Sequence, residues 1–345
     1  MAAVRPYRIG IIGAASLLGK ELSEALAESA LAASDVVLLD TEEAEGRLSS
    51  AGEEANFIQK VDSDAISGLD IVFFAGDPDT TRKFSAAARE ANASVIDLTY
   101  ALESDPETIL RGLLGGLAPG TAEPDLTTPA VVSAHPAALM LALLTTRLRS
   151  RLPIRTVAAT FFEPASEHGQ AAMDELHQQT VSLLSFQSLP REQYDAQIAF
   201  NMLPALGEAA KVTLGTVRQR VQDHYEKIGG AEAVPVNVQL IQAPVFHGYT
   251  ATLFIELEQP ATVSEFELAA QGEGIDLVTA ESEPPSNLSA AGQQDLLLQV
   301  RRAHAETKGT QFMVWMAADN LKLAAANAIA CANELRRMRP QGSVQ

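Results

Sequence analysis

The chain has 345 residues, of which 47% are hydrophobic, with a formal net charge of −19 at pH 7 and a pI of about 4.7. This length and apolar content indicate a globular protein with two domains of ordinary size rather than a disordered chain. The acidic excess argues against nucleic acids and anionic membranes as partners, because like charges repel. The single cysteine, Cys331, excludes an internal disulfide and a cysteine-based metal cage, and no metal site is predicted.

The N-terminal segment, Met-Ala-Ala-Val-Arg-Pro-Tyr-Arg, leads directly into a predicted strand. It has neither the charged start nor the apolar centre of a signal peptide. No apolar run reaches the roughly 18 residues that a transmembrane helix needs. We therefore expect a cytoplasmic location.

Residues 7–40 predict a β-α-β unit. The segment at 7–13, Tyr-Arg-Ile-Gly-Ile-Ile-Gly, reads as a short strand that ends in glycine, residues 19–30 carry apolar side chains at helical spacing, and residues 35–40 form a second strand. Short apolar strands of this kind suit a parallel sheet that is covered on both faces. The unit therefore predicts a Rossmann-type domain in an α/β protein.

The turn of this unit, Gly13-Ala-Ala-Ser-Leu-Leu-Gly19, is a partial dinucleotide-binding fingerprint. Gly13 can make the tight turn and Gly19 the close helix–strand contact, but Ser16 occupies the middle position. Its side chain would either crowd the pyrophosphate or hydrogen-bond to it. The predicted cofactor contacts in this unit are Gly13, Ala15, Ser16, Leu17, Leu18, Gly19 and Asp40.

Asp40 ends the second strand about 20 residues after the loop, where an acid can bind the ribose 2′-hydroxyl of NAD. The next residues, Thr-Glu-Glu-Ala-Glu at 41–45, add negative charge that would repel the 2′-phosphate of NADP. NAD is therefore favoured over NADP if either binds. The alternative is a structural loop that binds no nucleotide.

Three more strands, at residues 69–76, 94–98 and 129–134, complete the predicted first domain. A helix over about residues 80–91 follows the first of them, with Asp79 or Thr80 as its N-cap. After the last strand, His135-Pro136 turns into a helix that runs to about residue 148. Such a turn is where α/β enzymes tend to carry a nucleophile, but here the first helical turn offers Ala137 and Ala138.

The pattern changes in the second half of the chain, where strands and helices no longer alternate strictly. Strands are predicted at 155–162, 234–246, 249–257 and 312–317, and helices at 170–185, 212–227 and 319–338. We predict an α+β domain with a mixed, largely antiparallel sheet that can serve as a dimer interface. The last helix is expected to pack on the first domain, so the predicted domains are 1–134 with 319–338, and 135–318.

Taken together, eight short motifs resemble the aspartate-β-semialdehyde dehydrogenase family over nearly the whole chain. They are Gly13-Ala-Ala-Ser-Leu-Leu-Gly19, Leu69-Asp-Ile-Val-Phe-Phe-Ala75, Val95-Ile-Asp97, His135-Pro136, Ser166-Glu-His-Gly169, Ala199-Phe-Asn-Met-Leu-Pro204, Ala243-Pro-Val-Phe-His-Gly248 and Asp319-Asn-Leu-Lys322. The resemblance implies a Rossmann-type NAD-binding domain, with Asn320 near the nicotinamide, and a dimerisation and substrate domain. It also implies the phosphorylating oxidation of an aldehyde through a cysteine thioester.

Aligned with that family, the chain lacks most of its catalytic residues. The nucleophilic cysteine falls on Ala138, the positioning glutamine on Glu163 and the acid–base histidine on Tyr249. The arginines that hold the substrate's carboxylate and phosphate fall on Gln242 and Glu103. Because alanine cannot form a thioester, the resemblance implies that the family's own reaction has been lost.

Two hypotheses of function therefore stay open. The first is a non-catalytic NAD-binding or regulatory protein that forms a homodimer or pairs with an active relative. The second is an oxidoreductase for a different, less anionic semialdehyde-like substrate, with His135, His247 and Glu163 as acid–base groups beside His168. Because His247 and Tyr249 are two residues apart on a predicted strand, they would face the same way.

Overall fold

The computed structural model describes residues 6–32, 34–51, 54–116, 130–279, 281–304 and 309–338. The chain divides into two compact units. The first unit contains the chain up to Leu113, a segment that ends at Ala134, and the chain from Ala324 onward. The second unit contains His135–Leu323 and a short segment that begins at Leu114. The last helix, which we predicted to belong wholly to the first domain, therefore passes from the second unit into the first.

Parallel strands form the core of the first unit. They are β1 (Arg8–Ile12), β2 (Asp35–Asp40), β5 (Gln59–Lys60), β6 (Ile71–Phe74), β7 (Ser94–Asp97), β8 (Thr108–Arg111) and β9 (Ala130–Ser133), while β3 (Leu48–Ala51) and β4 (Glu54–Phe57) pair in a separate hairpin. The order in the sheet is β5-β2-β1-β6-β7-β9-β8. The strand order reverses beside β1, which is where doubly wound sheets bind their ligands.

Helices α1 (Leu17–Ala27), α2 (Ser63–Ile66) and α3 (Pro78–Glu90) belong to this unit. The α3 helix begins earlier than predicted, because Pro78 takes its first turn and the Asp77 carboxylate accepts the Thr80 N–H at 3.1 Å. The predicted caps Asp79 and Thr80 therefore lie inside the helix. The strand predicted at 129–134 is β9, and its first predicted residue, Pro129, lies outside the described residues.

The second unit is built on a mixed six-stranded sheet. Its strands are β10 (Ile154–Glu163), β11 (Val236–Gln242), β12 (Tyr249–Ala261), β13 (Ile275–Leu277), β14 (Leu296–Arg302) and β15 (Gly309–Ala318), in the order β11-β10-β12-β15-β14-β13. The pairs β10–β11 and β13–β14 are parallel and the other pairs are antiparallel. This arrangement confirms the predicted α/β class with a second, mixed sheet.

Several helices pack on one face of this sheet, as the alternation of buried and exposed residues along β10 and β12 requires. A short helix at residues 287–290 lies against the opposite face, where Ala290 packs with Leu297 and Ala317. The helices of the unit are α4 (Pro136–Arg149), α5 (Gln170–Leu184), α6 (Leu214–Gly229), α7 (Val263–Ala270), α8 (Asn287–Ala290) and the start of α9 (Asn320–Met338). Further along α9, Ala325, Ala328 and Leu335 lie in the core of the first unit. The sequence analysis did not predict α7, α8, β13 or β14.

Candidate functional site

Three glycines pack the loop between β1 and α1, Gly13–Gly19, against the end of β6. Gly13 has φ +92°, and a Cβ atom on it would lie 2.3 Å from the Gly76 Cα atom. A Cβ atom on Gly19 would lie 2.2 Å from the Gly13 carbonyl oxygen. The first position therefore needs glycine for both its dihedral angle and its space, and the last needs it for helix–strand contact, as the fingerprint predicts.

Ser16 is the N-cap of α1, and its side chain points into the protein. Its Oγ accepts the Gly19 N–H at 2.8 Å and donates to the Ala75 carbonyl oxygen at 2.8 Å. The hydrogen of the hydroxyl is therefore used within the protein, and the contact of Ser16 with a pyrophosphate stays a prediction. The N–H groups of Leu17 and Leu18 begin the helix and have no acceptor within it, so they suit a phosphate.

The carboxylate of Asp40 is fixed beside the same loop. Its Oδ2 accepts the Ala15 N–H at 2.8 Å and its Oδ1 accepts the Thr41 N–H at 2.7 Å. Lys60 is the residue opposite Asp40 on the neighbouring strand, but its ammonium lies 2.8 Å from the Glu42 carboxylate. The surroundings of Asp40 therefore suit ribose hydroxyls, and the ammonium of Lys60 is paired with Glu42.

In the second unit, two imidazoles accept hydrogen bonds from backbone N–H groups at the start of α4. The His135 Nδ1 accepts the Ala137 N–H at 3.2 Å, and the His224 Nδ1 accepts the His135 N–H at 3.0 Å. Since a backbone N–H can only donate, each Nδ1 must be unprotonated. Ala138, which the sequence analysis aligns with the family's cysteine, is fully buried in the first turn of this helix.

The remaining nitrogen of His135 contacts a carboxylate that the sequence analysis did not single out. His135 Nε2 lies 3.0 Å from Glu167 Oε1. Burial opposes the ionisation of Glu167, but His135, His168 and the Asn320 amide outweigh it and lower the pKa of this carboxyl. The position lies inside the Ser166-Glu-His-Gly169 motif, so the motif could have identified it.

Asn320 connects three parts of the second unit through its side chain. Its Oδ1 accepts the Ser166 hydroxyl at 3.1 Å and the Gly248 N–H at 3.2 Å, and its Nδ2 donates to Glu167 at 3.3 Å. We predicted this residue as a contact for nicotinamide. In the second unit the amide already joins the start of α9 to the segment that precedes β12 and to the 3₁₀ turn Ala165–His168.

A second buried pair is formed by Glu163, at the end of β10, and His168. Glu163 is fully buried, and its Oε1 lies 2.6 Å from His168 Nε2. Burial disfavours the charged imidazole, but Glu163 and Glu167 outweigh this and raise the pKa of His168. The ring of Tyr194 stands edge-on to the ring of His168, with 6.2 Å between the centroids. Burial, and to a lesser extent the charge of Glu163, raises the pKa of the Tyr194 hydroxyl.

Three members of the predicted acid–base set therefore lie in two pairs, His135 with Glu167 and His168 with Glu163, and the interaction of Glu167 with His168 links the pairs. His247 does not lie on the strand of Tyr249, because β12 begins at Tyr249 and Gly248, with φ +84°, interrupts the alternation. The expectation that these two side chains share a face was wrong. Tyr249 itself is fully buried, with its ring edge-on to His135 at 6.0 Å.

Within the described residues, no three or more His, Cys, Asp or Glu side chains are placed to hold a metal ion. No helix in the same part of the chain combines the length and the apolar character that crossing a membrane requires. Cys331 is buried in α9, and burial raises the pKa of its thiol. A reactive thiolate at this position is therefore disfavoured.

Comparison with known proteins identifies both halves of the chain. Residues 8–134 match the semialdehyde dehydrogenase NAD binding domain, and residues 146–323 match the semialdehyde dehydrogenase dimerisation domain. A USG-1 protein homolog from Pseudomonas aeruginosa is 28% identical over 330 residues, which cover 94% of this chain and 96% of that protein. An aspartate-semialdehyde dehydrogenase from Rickettsia bellii is 26% identical over 338 residues, with 96% and 98% covered.

Solved structures agree with this assignment. The structure of a probable aspartate-semialdehyde dehydrogenase from Pseudomonas aeruginosa superimposes with a TM-score of 0.85 at 26% identity, covering 96% of this chain and 98% of the other. Aspartate semialdehyde dehydrogenase II from Vibrio cholerae has the same fold, with a TM-score of 0.84 at 23% identity, over 96% and 99% of the two chains. The chain belongs to the semialdehyde dehydrogenase family.

Proposed function

We propose that this protein is a non-catalytic member of its family, a dinucleotide-binding dimer that does not oxidise aldehydes through a thioester. The observation that carries the proposal is the start of α4. Ala138 stands at the aligned position of the nucleophile and has no group that can bond to a carbonyl carbon.

The surroundings of Ala138 support the same proposal. An oxyanion at a helix N-terminus needs free backbone N–H groups. Here the N–H groups of His135 and Ala137 donate to imidazoles. Because Nδ1 of His135 is an acceptor and its Nε2 faces Glu167, neither ring nitrogen is placed to take a proton from a substrate.

The alternative, a different oxidoreductase that uses His135, His247 and Glu163, has less support. His135 and Glu163 each contact another buried ionisable group, Glu167 and His168, and are linked only through those two residues, while His247 precedes β12. A His–Glu pair can act as a base, but Glu163 and His168 are both almost inaccessible. We therefore favour the non-catalytic function over this alternative.

The proposed cofactor is NAD rather than NADP. A dinucleotide fits the first unit, because the Leu17 and Leu18 N–H groups can receive a pyrophosphate and Asp40 can accept ribose hydroxyls. A bound nicotinamide would supply hydride chemistry in an active relative. In this chain, the charge of Asp40 beside Glu42 disfavours a 2′-phosphate.

The proposed assembly is a homodimer, or a pair with a catalytically active relative, formed through the second unit, and the proposed location is the cytoplasm. The match of residues 146–323 to a dimerisation domain supports self-association. The acidic charge of −19 is consistent with proposing neither nucleic acid nor an anionic membrane as a partner.

An assay on pure protein tests the proposal. With aspartate semialdehyde, inorganic phosphate and either NAD or NADP, we expect no reduction of the nicotinamide above the rate without protein. We expect Ala138→Cys to stay inactive as well, because the backbone donors and the Glu163 and Tyr249 positions are unchanged. Calorimetric titration should still give tighter binding of NAD than of NADP.

An active enzyme from a relative serves as the positive control for the substrate. Robust phosphate-dependent turnover by the wild-type protein would contradict the loss of activity. Tighter binding of NADP than of NAD would contradict the role given to Asp40.

A further inference from the structure

The loop that follows β7 holds a tyrosine in an unusual backbone conformation. Tyr100 has φ +62°, in the left-handed region that side chains with a Cβ atom rarely adopt. Such a conformation costs of the order of 1 kcal/mol and persists only where the surroundings enforce it. An enforced conformation of this kind at a ligand-binding edge calls for a functional explanation.

The surroundings of Tyr100 do enforce it. Asp97, at the end of β7, is fully buried and accepts the Thr99 N–H and hydroxyl, both at 2.7 Å, and the Leu102 N–H at 2.9 Å. The Thr99 hydroxyl also lies 2.9 Å from the hydroxyl of Thr81 on α3. The loop is therefore fixed on both sides of Tyr100, whose own side chain is half-buried.

The position of the loop in the sheet relates it to one half of a dinucleotide. In a doubly wound sheet each half binds one mononucleotide, and the pyrophosphate lies at the first βα turn. Asp40 and the Gly13–Gly19 loop belong to β2 and β1, so the adenosine half lies there. The neighbouring strands β6 and β7 then border the other half, and Tyr100 stands three residues beyond the carboxyl end of β7.

We propose that Tyr100 is a cofactor-binding residue whose ring stacks on the nicotinamide. This inference rests on the proposed binding of a dinucleotide to the first unit. The flat face of a phenol ring can cover a nicotinamide ring, and it attracts the positive charge of the oxidised form more than the neutral reduced form. Tyr100 therefore favours NAD over NADH.

Calorimetric titrations with NAD, NADH and ADP-ribose test the proposal. The variant Tyr100→Asn removes the ring and keeps a residue that tolerates the left-handed conformation. We expect it to bind NAD about three- to tenfold more weakly, NADH less affected, and ADP-ribose, which lacks nicotinamide, unchanged. Tyr100→Phe keeps the ring and should bind like the wild type.

Asn92→Gly is the matched control. Asn92 is also left-handed, with φ +60°, but it precedes β7 and lies at the opposite end of the strand. It should leave all three affinities unchanged. A second test does not depend on the stability of Tyr100→Asn. In protein whose only protonated aromatic rings are those of tyrosine, we expect a nuclear Overhauser effect between tyrosine ring protons and nicotinamide protons in the wild type. The same effect should be absent in Tyr100→Phe.

The outcomes separate this inference from the proposal on which it rests. If Tyr100→Asn weakens ADP-ribose as much as NAD, or leaves NAD unchanged, the stacking role is wrong while dinucleotide binding stands. If the wild-type protein binds neither NAD nor ADP-ribose, both proposals fall. Absence of the Overhauser effect at saturating NAD would also overturn the stacking role.

Discussion

Glu163 shows how a single substitution changes what its neighbours must do. Glu163, which the sequence analysis aligns with the family's glutamine, is a fully buried carboxylate, and a buried charge without a partner is strongly destabilising. His168 supplies the partner at 2.6 Å, and its own pKa is raised in return. The two residues therefore form a unit in which neither can be replaced alone without cost.

We expect His168→Gln to lower the free energy of unfolding by about 3–5 kcal/mol, because it leaves Glu163 buried without a charge partner. Adding Glu163→Gln, which restores the family's residue, should recover most of that loss. Urea unfolding of the two single variants and the double variant gives the coupling energy. Additive losses would contradict a coupled pair, and the exposed His177 on α5 provides a control as His177→Gln.

The same pair makes the difference between wild type and His168→Gln dependent on pH. Glu163 and Glu167 face His168 and raise its pKa, while Arg220 and burial oppose them, and the phenol of Tyr194 stands nearby. A raised pKa stabilises the fold fully below the ordinary value of 6.5, and the effect is lost as pH rises through the higher folded-state pKa. The difference should therefore shrink in alkaline buffer, and a constant difference would contradict this account.

Among the elements, α1 shows what could be predicted from the sequence and what could not. The periodicity of its apolar residues and the two glycines of its loop predicted the strand, the turn and the helix. The direction of the Ser16 side chain could not be predicted, because its acceptor is the carbonyl of Ala75, which only the fold brings near. Glu167 lay inside a motif that the sequence analysis quoted, but its contact with His135 could not be predicted, since the two residues are distant in sequence.

Ser16→Ala removes the N-cap of α1, and we expect it to lower the free energy of unfolding by about 1 kcal/mol. NAD affinity should change little, because the hydroxyl contacts Gly19 and Ala75. Ser16→Gly, which completes the three-glycine fingerprint, should cost only a few tenths of a kcal/mol. Thermal melts with and without NAD measure both effects, and loss of binding without loss of stability would contradict the role of a cap.

At the scale of the whole molecule, the six-stranded sheet has one face on which α8 lies against the end of β15, where Ala290 packs with Leu297 and Ala317, and on which apolar side chains further along the strands stay partly exposed. Phe266 of α7 stacks with Phe312 on the helix-covered face at 4.7 Å between centroids. Residues of the opposite register, including Phe162, Phe254, Met313 and Trp315, are only partly buried on the other face. Two of them, Phe162 and Trp315, have ring centroids 6.0 Å apart. An apolar sheet face of this kind suits association with a second copy.

We expect the wild-type protein to sediment as a dimer and Phe254→Arg to sediment as a folded monomer. Phe254 pairs with Met313 on β15 and Ala158 on β10, so a charge there would stand at the centre of the open face and be desolvated in a dimer. Leu268→Arg is the matched control, because Leu268 is 60% exposed on α7, on the helix-covered side. Analytical ultracentrifugation over a range of concentrations distinguishes the three proteins. If Phe254→Arg stays a dimer and Leu268→Arg becomes a monomer, the interface lies on the helices instead.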